Sequence, residues 1–159
     1  MRKLWNRPDD AVWSLSTLSA DGVPNMNICT YVSAISLDPK LLMVAVYHGT
    51  QTRTNIAVGG TVLLQLLSQE LAPVVRVCGQ MSGKTINKIA RLQKRYDIQQ
   101  VDGFSYFKAA AGYMTLEIEQ IIKTSGDHDL LISKVIKAKN LADVPLLTTT
   151  YLKAEKYIR

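Results

Sequence analysis

The chain has little of what most enzyme sites are built from. Its 159 residues include only two histidines and two cysteines, and aromatic residues make up 7%. Cys29 and Cys78 are too few for a disulfide scaffold and have no metal-site spacing, so both are expected as reduced, buried thiols in a cytoplasmic protein. No other set of ligating residues has metal spacing either. Long apolar runs are absent: Leu41-Leu-Met-Val-Ala-Val46 is far too short to span a bilayer. Met1-Arg-Lys-Leu-Trp-Asn-Arg-Pro8 has no apolar core behind its charges, so export is not expected. There is no Gly-x-Gly-x-x-Gly turn, which argues against a Rossmann dinucleotide site. Without repeats, low-complexity tracts or linkers, residues 1–159 read as one domain.

What is present is ordinary globular composition, 47% hydrophobic and 20% charged. Nineteen Lys+Arg against thirteen Asp+Glu give a net charge of +6, which suits an anionic partner such as nucleic acid or a phosphorylated cofactor, or simply water. Lys84, Lys88, Arg91 and Arg95 follow helical spacing and read as one solvated helix face. Only Tyr96 is near them, so the interleaved aromatics of a single-strand nucleic-acid platform are missing.

After a short helix candidate from Pro8 to Ala11, the pattern is one of strands. Trp13 to Ser19 alternates, Asp21-Gly22 is a hairpin signal, and a second strand runs from Asn27 to Ile35. Asp38-Pro39 breaks it, and Leu41 to Tyr47 reads as a buried third strand. A short helix capped by Thr50 or Thr52 is expected to end at Gly59-Gly60, before a strand over Thr61–Leu67. Helices are expected over Leu71–Cys78 and Lys84–Tyr96, then long strands over Tyr113–Lys123 and Leu130–Lys139. Leu116, Ile118 and Ile121 are candidates for one face of the first. Many strands, hairpin turns and few helices predict a mainly β, antiparallel barrel.

Three places could carry chemistry. Thr50, Thr52, Arg53, Thr54 and Asn55 gather hydroxyls, an amide and a guanidinium at a helix start, either for a phosphate or merely for capping. Thr30 and Ser33 have odd spacing on a strand, so a bulge or bend is needed for both to face one ligand; solvated edge hydroxyls are the alternative. His128 stands between Asp127 and Asp129 at the start of a strand, either as part of a polar turn or as a titratable group facing a ligand.

Ser16-Thr-Leu-Ser-Ala-Asp-Gly-Val-Pro-Asn25, Val32-Ser-Ala-Ile-Ser-Leu-Asp-Pro39 and Thr50-Gln-Thr-Arg-Thr-Asn-Ile56 together resemble the flavin reductase-like, FMN-binding split-barrel family. Ser82-Gly83 with Lys88, Gly126-Asp-His128 and Pro145-Leu-Leu147 before Tyr157-Ile-Arg159 follow in the family's order, so the resemblance covers nearly the whole chain. It implies a homodimeric split barrel with FMN near the subunit interface, and hydride transfer from NAD(P)H to flavin. Thr30, Tyr31, Val32 and Ser33 would line the ribityl chain and ring; Thr50, Thr52, Arg53 and Asn55 would lie at the phosphate; His128 would be the catalytic histidine near flavin and nicotinamide. Ser133 and Ile28 depart from the residues many relatives carry. A non-enzymatic FMN electron carrier and a basic nucleic-acid-binding barrel are the rival readings.

Overall fold

The computed structural model describes residue 4 and residues 7–158. Strands β1 (Trp13–Leu18) and β2 (Pro24–Cys29) form the expected hairpin, with Gly22 at φ 76° in its turn. Strands β3 (Val32–Leu37) and β4 (Lys40–Tyr47) form a second hairpin, and β5 is Thr61–Leu66. Strands β6 (Ile98–Val101) and β7 (Phe104–Phe107) stand apart as a two-stranded sheet, turning through Asp102 and Gly103, both at positive φ. Strands β8 (Gly112–Ile122) and β9 (His128–Asn140) are the longest.

Seven strands make one antiparallel sheet in the order β2-β1-β5-β8-β9-β4-β3. Its two edge strands, β2 and β3, are consecutive in the chain and separated only by Thr30 and Tyr31. A sheet whose opposite edges are joined by two residues must roll up. Those edges do not pair with each other, so the barrel is left split.

The sequence expectation of one continuous strand from Asn27 to Ile35 is therefore corrected. Val32 N–H donates to the Thr30 carbonyl at 3.0 Å, a tight turn that takes the chain from one sheet edge to the other.

Leu15, Val44, Val46, Ile56, Leu64, Leu116 and Leu131 fill the rolled sheet. A bulge at Glu119, between the pairs Ile118↔Ser133 and Gln120↔Ile132, brings Ile121 onto the same face as Leu116 and Ile118. A second core lies under the connecting segments. It packs Met26, Leu71, Val75, Ile89, Phe107 and Leu152. There a 3-10 turn (Gln69–Val74) runs into α2 (Val75–Cys78), in place of the single helix expected over Leu71–Cys78; Pro73, without an N–H, suits the shorter turn.

Two further helix expectations fail. Residues 8–11 are not helical, and Ala11 makes an isolated bridge to Thr148. Lys84–Tyr96 contains only α3 (Lys88–Leu92), because Ile89 and Leu92 are drawn into the core and the flanking residues turn to reach it. A last helix, α4 (Thr149–Ala154), is capped by Thr148.

The β6–β7 hairpin is joined to the barrel by the buried rings of Phe104 and Phe107 and by one buried amide. Gln65 donates through Nε2 to the Phe107 carbonyl at 2.8 Å, and its Oε1 accepts from Phe107 N–H at 3.0 Å. The amide thus copies a backbone ladder.

Candidate functional site

Strand β4 ends at Tyr47, and His48-Gly49-Thr50 turns into α1 (Gln51–Asn55). Thr50 caps that helix. Its Oγ1 accepts from Arg53 N–H at 3.1 Å and donates to the Tyr47 carbonyl at 2.9 Å. A Cβ at residue 49 would lie 2.9 Å from the Tyr47 ring, so glycine lets the ring fold along the turn.

Beside α1 and β2 lies a groove of about 200 Å³, bordered by Asn25, Asn27, Tyr47, Thr50, Thr52 and Lys88 and by residues 79–83. A second cavity of about 280 Å³ takes in Asn25, Gln51, Asn55, Gly83, Lys84 and Lys88. Asn25, Gln51, Gly83 and Lys88 border both, so the two form one depression crossed by the chain at Gly83. That crossing is tight: a Cβ on Gly83 would come within 2.2 Å of Asn25 Oδ1. No aspartate or glutamate lines either part.

Lys84, Arg91 and Arg95 are exposed as expected of a solvated basic set, but Lys88, which begins α3, points inward at 4% exposed and corrects that expectation. Its Nζ donates to the Cys78 carbonyl at 2.7 Å and lies 3.5 Å from Asn27 Oδ1. Burial pulls the ammonium's pKa below the usual lysine value. Cys78 is a neutral neighbour, since burial pushes its thiol up to about 12. Both cysteines are free.

His128 opens β9 opposite Tyr47. Its Nδ1 lies 2.7 Å from Asp127 Oδ1, and this bond holds the Asp127 carboxyl below its ordinary pKa. The imidazole sits between two aromatic rings, Tyr31 at 5.5 Å and Tyr47 at 5.4 Å between centroids. Tyr47 also borders the groove, which makes the groove and the histidine continuous.

Next in sequence, Asp129 points to the opposite face of the strand and is 3% exposed. His48 Nε2 lies 2.8 Å from its Oδ1, and Arg53 Nε donates to its Oδ2 at 2.7 Å. The His48 bond, and then the Arg53 bond and charge, lower its pKa against the effect of burial.

The residues singled out from sequence fall into three sets. Thr50 and Thr52 border the groove, though the Thr52 hydroxyl is fully buried and accepts from Asn25 Nδ2 at 3.1 Å. Asn55 borders the second cavity while bonded to Gln51 and Thr17, and the Arg53 guanidinium is committed to Asp129. At the other end, Tyr31 packs on His128, Thr30 forms the turn, Val32 packs on the barrel core and Ser33 is exposed. Ser133 is buried in the sheet with no hydrogen-bond partner for its hydroxyl among the described residues. Ile28 packs under Gly79 and the second core.

Tyr47, Asn25, His48 and Asp129 were missed. Asn25, near the start of β2, and Tyr47, at the end of β4, border the groove, and a polar or aromatic residue near a strand terminus carries no periodic signal. The second histidine, at the end of a buried strand, was the one available hint of an ion pair.

The flavin reductase-like domain family matches residues 9–153. The reductase component of the flavin-dependent trigonelline monooxygenase of Acinetobacter baylyi is 24% identical over 121 residues, covering 76% of this chain and 37% of that protein. The chain therefore spans little more than a third of the curated relative it matches. Among solved structures, the NADH:FAD oxidoreductase of Streptomyces globisporus superposes with a TM-score of 0.80 at 14% identity, over 92% of this chain and 84% of the other. An FMN-binding protein from Thermus thermophilus does so with a TM-score of 0.74 at 16% identity, over 88% and 75%. These low identities establish the shared split-barrel fold, and the match across nearly the entire chain establishes that it belongs to the flavin reductase-like domain family.

Proposed function

We propose that this chain is a flavin reductase that binds FMN and takes hydride from NAD(P)H, working as a cytoplasmic homodimer. The observation that carries this is the continuity of two unlike surfaces through Tyr47: a groove of amides, hydroxyls and a lysine without acidic residues, and an aromatic wall holding His128. The first suits a phosphorylated ribityl chain and the second suits a flat ring. When bound, the flavin supplies the redox chemistry, accepting hydride from the nicotinamide.

The residues' work is orientation. Thr50 and Thr52 wall the phosphate end, with Arg53 and Asn55 bracing α1 behind them. Tyr31, Val32 and the backbone of Thr30 and Ser33 form the ring end. His128, kept in place by Asp127 and two tyrosine edges, is the catalytic residue facing flavin and nicotinamide. Tyr31 before β3, Ile35 and Leu37 on it, Tyr47 on β4 and Ile136 on β9 are exposed apolar side chains, which suits a second copy of the chain. Free thiols suit a reducing compartment, and among the described residues no helix is long and apolar enough to cross a membrane.

The test is stopped-flow reduction of the yellow, flavin-loaded protein. NADH or NADPH is expected to bleach it, and His128→Ala to slow bleaching by about 10²–10⁴-fold with flavin still bound. A loaded protein that neither cofactor bleaches would be an electron carrier instead, and a variant reduced at the wild-type rate would return His128 to the turn.

A further inference from the structure

We infer that Lys88, rather than Arg53, is the cation that grips the phosphate of the flavin nucleotide, in the groove beneath the Gly83 crossing; this rests on the flavin reading above. Arg53 is already neutralised, since its guanidinium donates to the buried Asp129 carboxylate at 2.7 Å. Lys88 has no carboxylate within ion-pair distance among the described residues. A charge withdrawn from water without a counter-charge is costly and is kept where an anion completes it.

The ammonium's surroundings are otherwise neutral. It has three donors. One meets the Cys78 carbonyl at 2.7 Å, and the Asn27 amide oxygen at 3.5 Å is too distant for a strong bond. The Cys78 thiol, pushed up to about 12, supplies no negative charge near neutral pH. At least one donor is thus left for a ligand.

Its position points the same way. Lys88 borders both parts of the depression, where no acidic residue competes for it. Asn25, Thr50 and Gln51 stand around it as neutral hydrogen-bonding groups, and Lys84 adds a second cation to one cavity. A phosphate ester entering there would meet a desolvated ammonium, the setting in which a charge-assisted hydrogen bond is strong. A flavin without phosphate would leave that ammonium as it is in the ligand-free protein.

The experiment is a fluorescence titration of wild type, Lys88→Met and Lys88→Arg with FMN and with riboflavin. Wild type is expected to prefer FMN. Lys88→Met should lose about ten- to hundredfold in FMN affinity with riboflavin affinity unchanged, and Lys88→Arg should keep most of the preference. If Lys88→Met still prefers FMN as wild type does, or if wild type binds both flavins equally, the assignment of Lys88 is overturned while the flavin reading stands. Binding of neither flavin by wild type would remove both. Should Lys88→Met fail to fold, wild type labelled with carbon-13 at lysine Cε decides: FMN but not riboflavin must move the resonance that Lys88→Arg deletes, and an unmoved resonance overturns the proposal.

Discussion

Asp129 and Lys88 are nearly equally buried, at 3% and 4% exposure, but their surroundings are opposite. Asp129 has a partner at each carboxylate oxygen, His48 and Arg53, drawn from the turn and helix after β4. Lys88 has a carbonyl, a distant amide and no anion. A charge answered from within the fold serves the fold. A charge left unanswered beside a groove serves whatever enters it.

Substitution should separate the two roles. The largest effect is expected from Asp129→Ala, which strands Arg53 and loosens the start of β9. A fall in melting temperature on the order of 10 °C should appear by calorimetry. An unchanged melting temperature would reduce the paired side to a surface contact. Lys88→Met should do the reverse in the ligand-free protein, leaving it as stable or raising its melting temperature by roughly 2–10 °C, because an uncompensated charge is replaced by an apolar chain of similar length. A marked loss of stability would show that the Cys78 carbonyl bond outweighs desolvation, and the contrast would fail.

The smallest effect lies in acid. The Asp129 carboxyl has a lower pKa in the folded chain than the value of about 3.9 expected when unfolded. Its contribution is therefore complete above about pH 4 and is lost as pH falls through the lower folded value. Melting curves of wild type and Asp129→Asn should differ at neutral pH and converge as pH falls below about 4; a gap that does not narrow in acid would place the stabilisation in something other than ionisation.

The barrel was legible in the sequence where a strand's pattern ran for six residues or more between clear breaks. Trp13–Leu18, Lys40–Tyr47, Gly112–Ile122 and His128–Asn140 all lie within two residues of where alternation or an apolar run put them. The β6–β7 hairpin was not read, although Asp102-Gly103 repeats the Asp21-Gly22 signal, because strands of four residues are too short to establish a period. The placement of Lys88 on the solvated basic face failed for a different reason. Spacing reveals which residues share a helix face but not which way the face turns, and Ile89 and Leu92 turned Lys88 inward. The order of the motifs pointed to Thr50, Thr52 and His128, while the partner of Arg53 lies 76 residues away and only folding reveals it.

The Gln65 clasp has its own consequence. It grips Phe107 through main-chain N–H and C=O, while the Phe107 ring is itself fully buried in the second core, so the joint fixes both the chain position and a large apolar side chain there. Homologues could lengthen the turn at Asp102-Gly103 or change the exposed face of β6 to suit a docking protein while Phe104 and Phe107 stay anchored in the core. One glutamine and two phenylalanines would leave the tip of that hairpin free to vary.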